Sequence, residues 1–227
     1  MSRTIAFGQS EFYHIYNRGT EKRITFSGRV DYERFLALLY LCNSKENIHL
    51  NNYPGLSLAE RLSLERTDSI VNICAYCLMP NHFHLILQEK EKGGISRFMQ
   101  KVTTGYTMYF NKRNERTGAL FQGKFKATYA KKDEYLKYLI SYIHLNPIKI
   151  IDPKWKENGI KNKRRAGNFL DQYFYSSYLD YCGKKRLEEK IINKAALPKY
   201  FGSVNNFKAT TRDWLEYSST TEVRPRW

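Results

Sequence analysis

A chain of 227 residues with 42% hydrophobic content is long enough to bury a substantial core and short enough to be one domain with appendages. Lysine and arginine number 38 against 22 acidic residues, a formal net charge of +16. An excess of that size favours a polyanionic partner, nucleic acid before any other. No run approaches the about 18 consecutive apolar residues that a membrane span needs, and Met1 to Gly8 lack the apolar stretch of a secretion signal, so the expected location is cytoplasmic, with no membrane partner.

The short aromatic and β-branched run Glu11 to Asn17, broken by Arg18-Gly19-Thr20, predicts a strand. Asp31 to Cys42 sets Tyr32, Phe35, Leu36, Leu38, Leu39 and Cys42 at helical spacing, with Asp31 as cap. Asn43 to Asp68 is polar, contains Asn51-Asn52-Tyr53-Pro54-Gly55, and is expected to be an insertion or mobile loop. Ser69 to Cys77 and His82 to Glu89 are β-rich runs whose connection, Leu78-Met79-Pro80-Asn81, suits a hairpin. Cys74 and Cys77 lie in the first run and have no second pair to complete a zinc site, so they read as reduced strand cysteines. Ile95 to Asn114 predicts a second helix with Phe98, Met99, Val102, Tyr106, Tyr109 and Phe110 on one side. Phe121 to Ala130 alternates as another strand, and Asp133 opens a helix through Tyr135, Leu136, Leu139, Ile140 and Ile143 that Pro147 should end.

Strand, helix, two strands, helix, strand, helix is the order of an α+β fold of the ferredoxin or RNA-recognition type, an antiparallel sheet with helices packed mainly on one face. Residues 1–150 are therefore assigned to a core domain and 151–227 to an extension. Within the extension, Asp152 to Arg165 is expected to be a basic loop, Asn168 to Cys182 and Leu187 to Leu197 to be helical, Phe207 to Glu216 a short helix, and the tail disordered.

The charge is unevenly placed. Nine basic residues and one acid, Glu115, lie between Arg97 and Lys132. Many of the 18 tyrosines stand among such cations, as expected where bases stack on rings and phosphates meet positive charge. His82-Phe83-His84 projects two imidazoles from one face of a strand, because alternate strand residues point the same way. They are candidate metal ligands, or two partly exposed histidines without a metal. Tyr142 and Asn146 are four residues apart on the last core helix, so both side chains emerge on one face. They are candidate site residues, or a core tyrosine and an ordinary Asn-Pro helix end.

Three segments together resemble a known family: Met79-Pro80-Asn81-His82-Phe83-His84, then Arg116-Thr117-Gly118-Ala119-Leu120-Phe121-Gln122-Gly123-Lys124-Phe125-Lys126, then Tyr142-Ile143-His144-Leu145-Asn146-Pro147. In this order and spacing they are similar to the REP-associated tyrosine transposases, within the insertion-sequence family of single-tyrosine HUH transposases. Phe12 to Gly19 and Tyr175-Ser176-Ser177-Tyr178 share the likeness, which covers roughly residues 10 to 182. The resemblance implies that His82 and His84 are metal ligands, that Asn146 completes the metal site, and that Tyr142 is the nucleophile. Phe83 fills the hydrophobic position between the histidines. This chain departs from the family in having Phe121 where Trp is common, and Gln172-Tyr173-Phe174-Tyr175-Ser176-Ser177 where Tyr-Pro-Trp-Ser-Ser is common.

The implied activity is cleavage and rejoining of single-stranded or hairpin DNA with Mg or Mn, through a 5′-phosphotyrosine and a free 3′-hydroxyl. It suits the physical problem, since a phenol of pKa about 10 and a phosphodiester both need activation. Arg18, Arg116, Lys124 and Lys126 are the expected DNA contacts. Tyr138 on the same helix and Tyr129 on the preceding strand compete with Tyr142, while His144, about 200° round the helix, is expected to be structural. Relatives leave both monomer and homodimer open. The rival class is a non-catalytic single-strand nucleic-acid-binding module with an RNA-recognition-like sheet; a hydrolase using water is a third reading. A zinc base deaminase does not suit, because His-Phe-His lacks the glutamate of H-x-E.

Overall fold

Four segments rich in β-branched, aromatic and other apolar residues form β1 (Phe12–Arg18), β2 (Val71–Met79), β3 (His82–Glu89) and β4 (Lys126–Tyr129), the framework of a computed structural model that describes residues 6–216. The strands lie in the order β2-β3-β1-β4, and every pairing is antiparallel. The predicted hairpin closes on two residues, Pro80 and Asn81, since Met79 pairs with His82. Each β3 side chain is assigned to a face by the pleat: Phe83, Leu85 and Leu87 enter one core, and Ile86 enters the other.

The first core is covered by α1 (Arg29–Leu41) and α3 (Gly94–Arg113), whose Phe35, Leu36, Phe98, Val102 and Tyr106 are all buried. Those two helices match the expectation of helices mainly on one face. On the opposite face lies α4 (Asp133–Leu145), which buries Leu136, Leu139, Ile140 and Ile143 against Ala75, Cys77 and Ile86. A bulge in β2 between Ile73 and Ala75 supplies apolar residues to both cores: Val71 and Ile73 face the first, while Cys74, Ala75, Cys77 and Met79 face the second. Cys74 and Cys77 are free thiols, and burial pushes both above the ordinary thiol range.

Residues 43–68, which contain the one-turn helix α2 (Leu58–Arg61), are pinned at both ends. The Asn43 side chain accepts from the backbone of Ile70 and Val71 and donates to the Val71 carbonyl, and Arg66 donates to the carbonyls of Tyr40 and Asn43. Leu50 and Leu62 are buried in the first core.

The chain after α4 departs from its sequence reading in detail. After α5 (Ile148–Ile151), the expected basic loop Asp152 to Arg165 instead forms a helical turn, α6 (Trp155–Asn158), and the start of α7 (Lys163–Leu170), because Trp155 and Ile160 pack onto the second core. Asn168 to Cys182 is helical only at its ends, in α7 and α8 (Tyr178–Tyr181). Between them the backbone runs beside β2, where Leu78 N donates to Tyr175 O at 2.9 Å and Ser177 N to Tyr76 O at 3.0 Å. This strap covers part of an edge strand that would otherwise present open hydrogen-bonding groups. Leu187–Ile191 and Lys194–Ala196 are 3-10 turns, and α9 (Val204–Glu216) buries Phe207 in the second core. The expected disordered tail, 217–227, lies outside the described residues. Among the described residues no helix is long and apolar enough to cross a membrane.

Candidate active site

β1 and β3 are neighbours in register, with Tyr16 opposite His84 and Arg18 opposite His82. The pleat therefore turns His14, Tyr16, Arg18, His82 and His84 to the face that α4 covers. The helix brings Tyr142 over this row: its ring centroid lies 6.0 Å from that of His84 and 6.3 Å from that of His14, edge-on to both. Tyr142 and Asn146, separated by one turn, line a cleft of about 310 Å³ together with Tyr16, Arg18, His82, His84, Gln122, Lys126, Lys149 and Lys156.

The two histidines are fixed by their neighbours. His82 Nδ1 is 2.6 Å from Asn81 Oδ1, in the hairpin turn, and His84 Nδ1 is 2.9 Å from His14 Nε2. Both recorded hydrogen bonds use Nδ1, so Nε2 is the nitrogen of each ring left for a cation. The Asn146 Nδ2 donates to the Tyr142 carbonyl at 3.0 Å, so Oδ1 is the atom of this side chain that could ligate a cation. Among the described residues no group of three or more His, Cys, Asp or Glu side chains is placed to hold a metal, and the groups in the cleft that could hold one are two imidazoles and an amide oxygen. Nitrogen-rich donors of this kind suit Mn better than Mg.

Burial holds His82 near a pKa of about 3, with Arg18, Lys149 and Lys156 adding to the shift. Burial and then Lys156 bring His14 to about 3, and burial followed by His82 and His14 pushes His84 well below the usual value. All three rings are therefore neutral near pH 7, the state in which imidazole offers a lone pair.

Among the described residues four cations and no carboxylate line the cleft, namely Arg18, Lys126, Lys149 and Lys156. Arg18 Nε is buried without a hydrogen-bond partner among the described residues. Lys156 donates to the Tyr142 hydroxyl at 2.6 Å, and its Nζ lies 4.1 Å from the ring centroid.

Of the sequence candidates, the fold brings together Tyr142, His82, His84, Asn146, Arg18 and Lys126. Lys124 lies in a separate hollow beside Phe7, Ser96 and Phe125. Arg116 is bonded to Asn111 and the Ala119 carbonyl, beyond the C-terminus of α3. Tyr138 sits one turn before Tyr142, with rings 5.8 Å apart. Tyr129 pairs with Tyr13 on the opposite face, where its hydroxyl meets Glu11. His144 is buried on the far side of α4, 2.8 Å from Ser177 Oγ and packed on Tyr181 and Phe207.

Sequence reasoning missed His14, Tyr16, Lys149 and Lys156. The alternation of His14 and Tyr16 in a strand was a usable signal for the first two, once β1 was paired with β3. Lys156 had none, since its segment read as a basic loop, and Lys149 follows the expected helix end at Pro147 with no motif to mark it.

No curated protein matches the chain. A solved structure described as a REP-associated tyrosine transposase bound to a REP hairpin is similar in fold, with a TM-score of 0.50 at 11% sequence identity, and the match covers 89% of this chain and 99% of that one. Residues 13–146, which carry the four described strands except Phe12 and the helix bearing Tyr142, match the family described as "transposase IS200 like". The chain is a member of the IS200-like transposase family.

Proposed function

We propose that this transposase cuts and rejoins single-stranded DNA beside hairpin repeats, with Tyr142 as nucleophile and a 5′-phosphotyrosine as the covalent intermediate. The observation that carries this reading is the meeting of Tyr142 with His82 and His84 in one cleft that, among the described residues, cations and no carboxylate line. A phosphodiester brings negative charge to that cleft, and Arg18, Lys126 and Lys149 orient it by charge-assisted hydrogen bonds. His82 and His84 through Nε2 and Asn146 through Oδ1 are the residues that would hold Mg or Mn. Such an ion, when bound, polarises the scissile phosphate and offsets the charge that develops on it. His14 and Asn81 keep the two imidazoles in the tautomer that leaves Nε2 unprotonated. α4 fixes the phenol beside them, so attack needs little reorganisation. Because the phosphodiester becomes a phosphotyrosine, its energy is retained for rejoining and no ATP is required. The REP hairpin bound by the structural neighbour supports hairpin DNA as the substrate class.

The test is to incubate the protein with labelled single-stranded hairpin DNA and Mn or Mg, then look for a band that survives denaturation. Tyr142→Phe should bind the DNA yet form neither adduct nor product. Cleavage without an adduct would make water the nucleophile, an adduct on Tyr138 would move the nucleophile one turn, and binding without cleavage under any divalent metal would leave a binding module.

A further inference from the structure

Lys156 lies outside residues 13–146, the stretch that matches the family, yet it reaches the proposed nucleophile. Its ammonium donates to the Tyr142 hydroxyl at 2.6 Å and also lies 4.1 Å from the centre of the ring. The segment that carries it is short and fixed. α5 follows α4 after Asn146 and Pro147, Trp155 N donates to Asp152 O, and the Asp152 carboxylate accepts from Lys161 N at 3.0 Å. Trp155 packs against the second core, so the neighbouring lysine is anchored rather than loose. Among the described residues the cleft that Lys156 enters is also lined by Arg18, Lys126 and Lys149, so it suits an anion held beside the phenol.

We propose that Lys156 is a catalytic residue contributed by the C-terminal extension: its ammonium holds the Tyr142 oxygen and balances the negative charge that gathers there in both cleavage and rejoining. This rests on Tyr142 being the nucleophile. In cleavage, the Tyr142 oxygen forms a bond to phosphorus as the P–O3′ bond breaks, and the phenol proton ends on the departing oxygen as a free 3′-hydroxyl. In rejoining, a 3′-hydroxyl oxygen bonds to phosphorus, the bond from phosphorus to the Tyr142 oxygen breaks, and the hydroxyl proton returns to the phenol. Lys156 keeps its own protons throughout. A preorganised donor of this kind acts where charge develops, not where substrate is merely held.

The experiment measures adduct formation in a single turnover at saturating hairpin DNA, with DNA affinity and thermal unfolding measured in parallel. Lys156→Met should slow adduct formation by about 100- to 1,000-fold, the usual effect of removing one such donor, while affinity changes only a few-fold. Lys156→Arg should retain much of the rate. Lys156→Ala should recover with added propylammonium and not with tetramethylammonium, which carries the charge but no N–H. Wild-type rates in Lys156→Met overturn the proposal and leave Tyr142 in place. A slow Lys156→Met without amine rescue of Lys156→Ala also overturns it, because the lysine is then only packing. Cleavage by the wild-type protein with no Tyr142 adduct overturns the nucleophile assignment itself, and the role of Lys156 with it.

Discussion

Arg186→Met should be among the most damaging single substitutions in the chain, although the residue is far from the proposed chemistry. The Arg186 guanidinium donates to Asp180 Oδ1 at 2.7 Å and Oδ2 at 2.5 Å, to the carbonyls of Phe174 and Ser176, and to the Tyr76 hydroxyl at 3.0 Å. It ties α8 and the strap to β2. The side chains of the pair are 11% and 0% exposed, so methionine leaves a carboxylate buried with no opposing charge. Breaking a buried pair in this way costs about 3–5 kcal/mol. At about 2–4 °C per kcal/mol for a chain of this size, the melting temperature should fall by roughly 10 °C.

The pH dependence supplies an independent check. Burial raises the Asp180 carboxyl above its ordinary value, and Arg186 opposes that rise. With Arg186 gone, the folded-state pKa rises further. A carboxyl raised in the folded state contributes stability that is present below its unfolded pKa and lost as pH rises through the folded one. The deficit of Arg186→Met against wild type should therefore be largest near pH 7.5 and should shrink as pH falls towards 5. Urea unfolding at both pH values measures it. Adding Asp180→Asn should recover part of the loss at pH 7.5. A single-mutant cost below about 1 kcal/mol, or a deficit that grows as pH falls, would refute the reasoning.

Gly19→Ala should destabilise the start of the β1 connection by about 1–3 kcal/mol in thermal melting, because a Cβ there would run into the Arg23 carbonyl oxygen and lie 2.8 Å from Thr25 Cγ2; unchanged melting would show that the backbone gives way freely. His14→Phe removes the partner of His84 Nδ1, so the Mn concentration needed for half-maximal cleavage should rise about 10- to 100-fold, and an unchanged metal titration would contradict that role for His14. Lys149→Ala removes one cation from the cleft, so the logarithmic salt dependence of single-strand DNA affinity should become shallower by about 0.7; an unchanged slope would place the DNA backbone elsewhere.

Much of the site could be read locally because strand and helix periods are local rules. His82 and His84 had to share a strand face, and Tyr142 and Asn146 a helix face, whatever the rest of the chain did. The hairpin was equally local, since Pro80 and Asn81 separate two β-rich runs. The tertiary structure alone decided that α4 lies across the sheet from α1 and α3, and this is what sets Tyr142 above His84. Sequence clustering of charge was a poorer guide: Arg116 and Lys124 belong to the basic run but lie away from the cleft, while Lys149 and Lys156, outside that run, line it. The strap beside β2 was hidden for the same reason. Periodicity shows which residues share a face, but which faces meet depends on pairing between segments far apart in the chain, such as β1 with β3 and Leu78 with Tyr175, which meet through backbone hydrogen bonds.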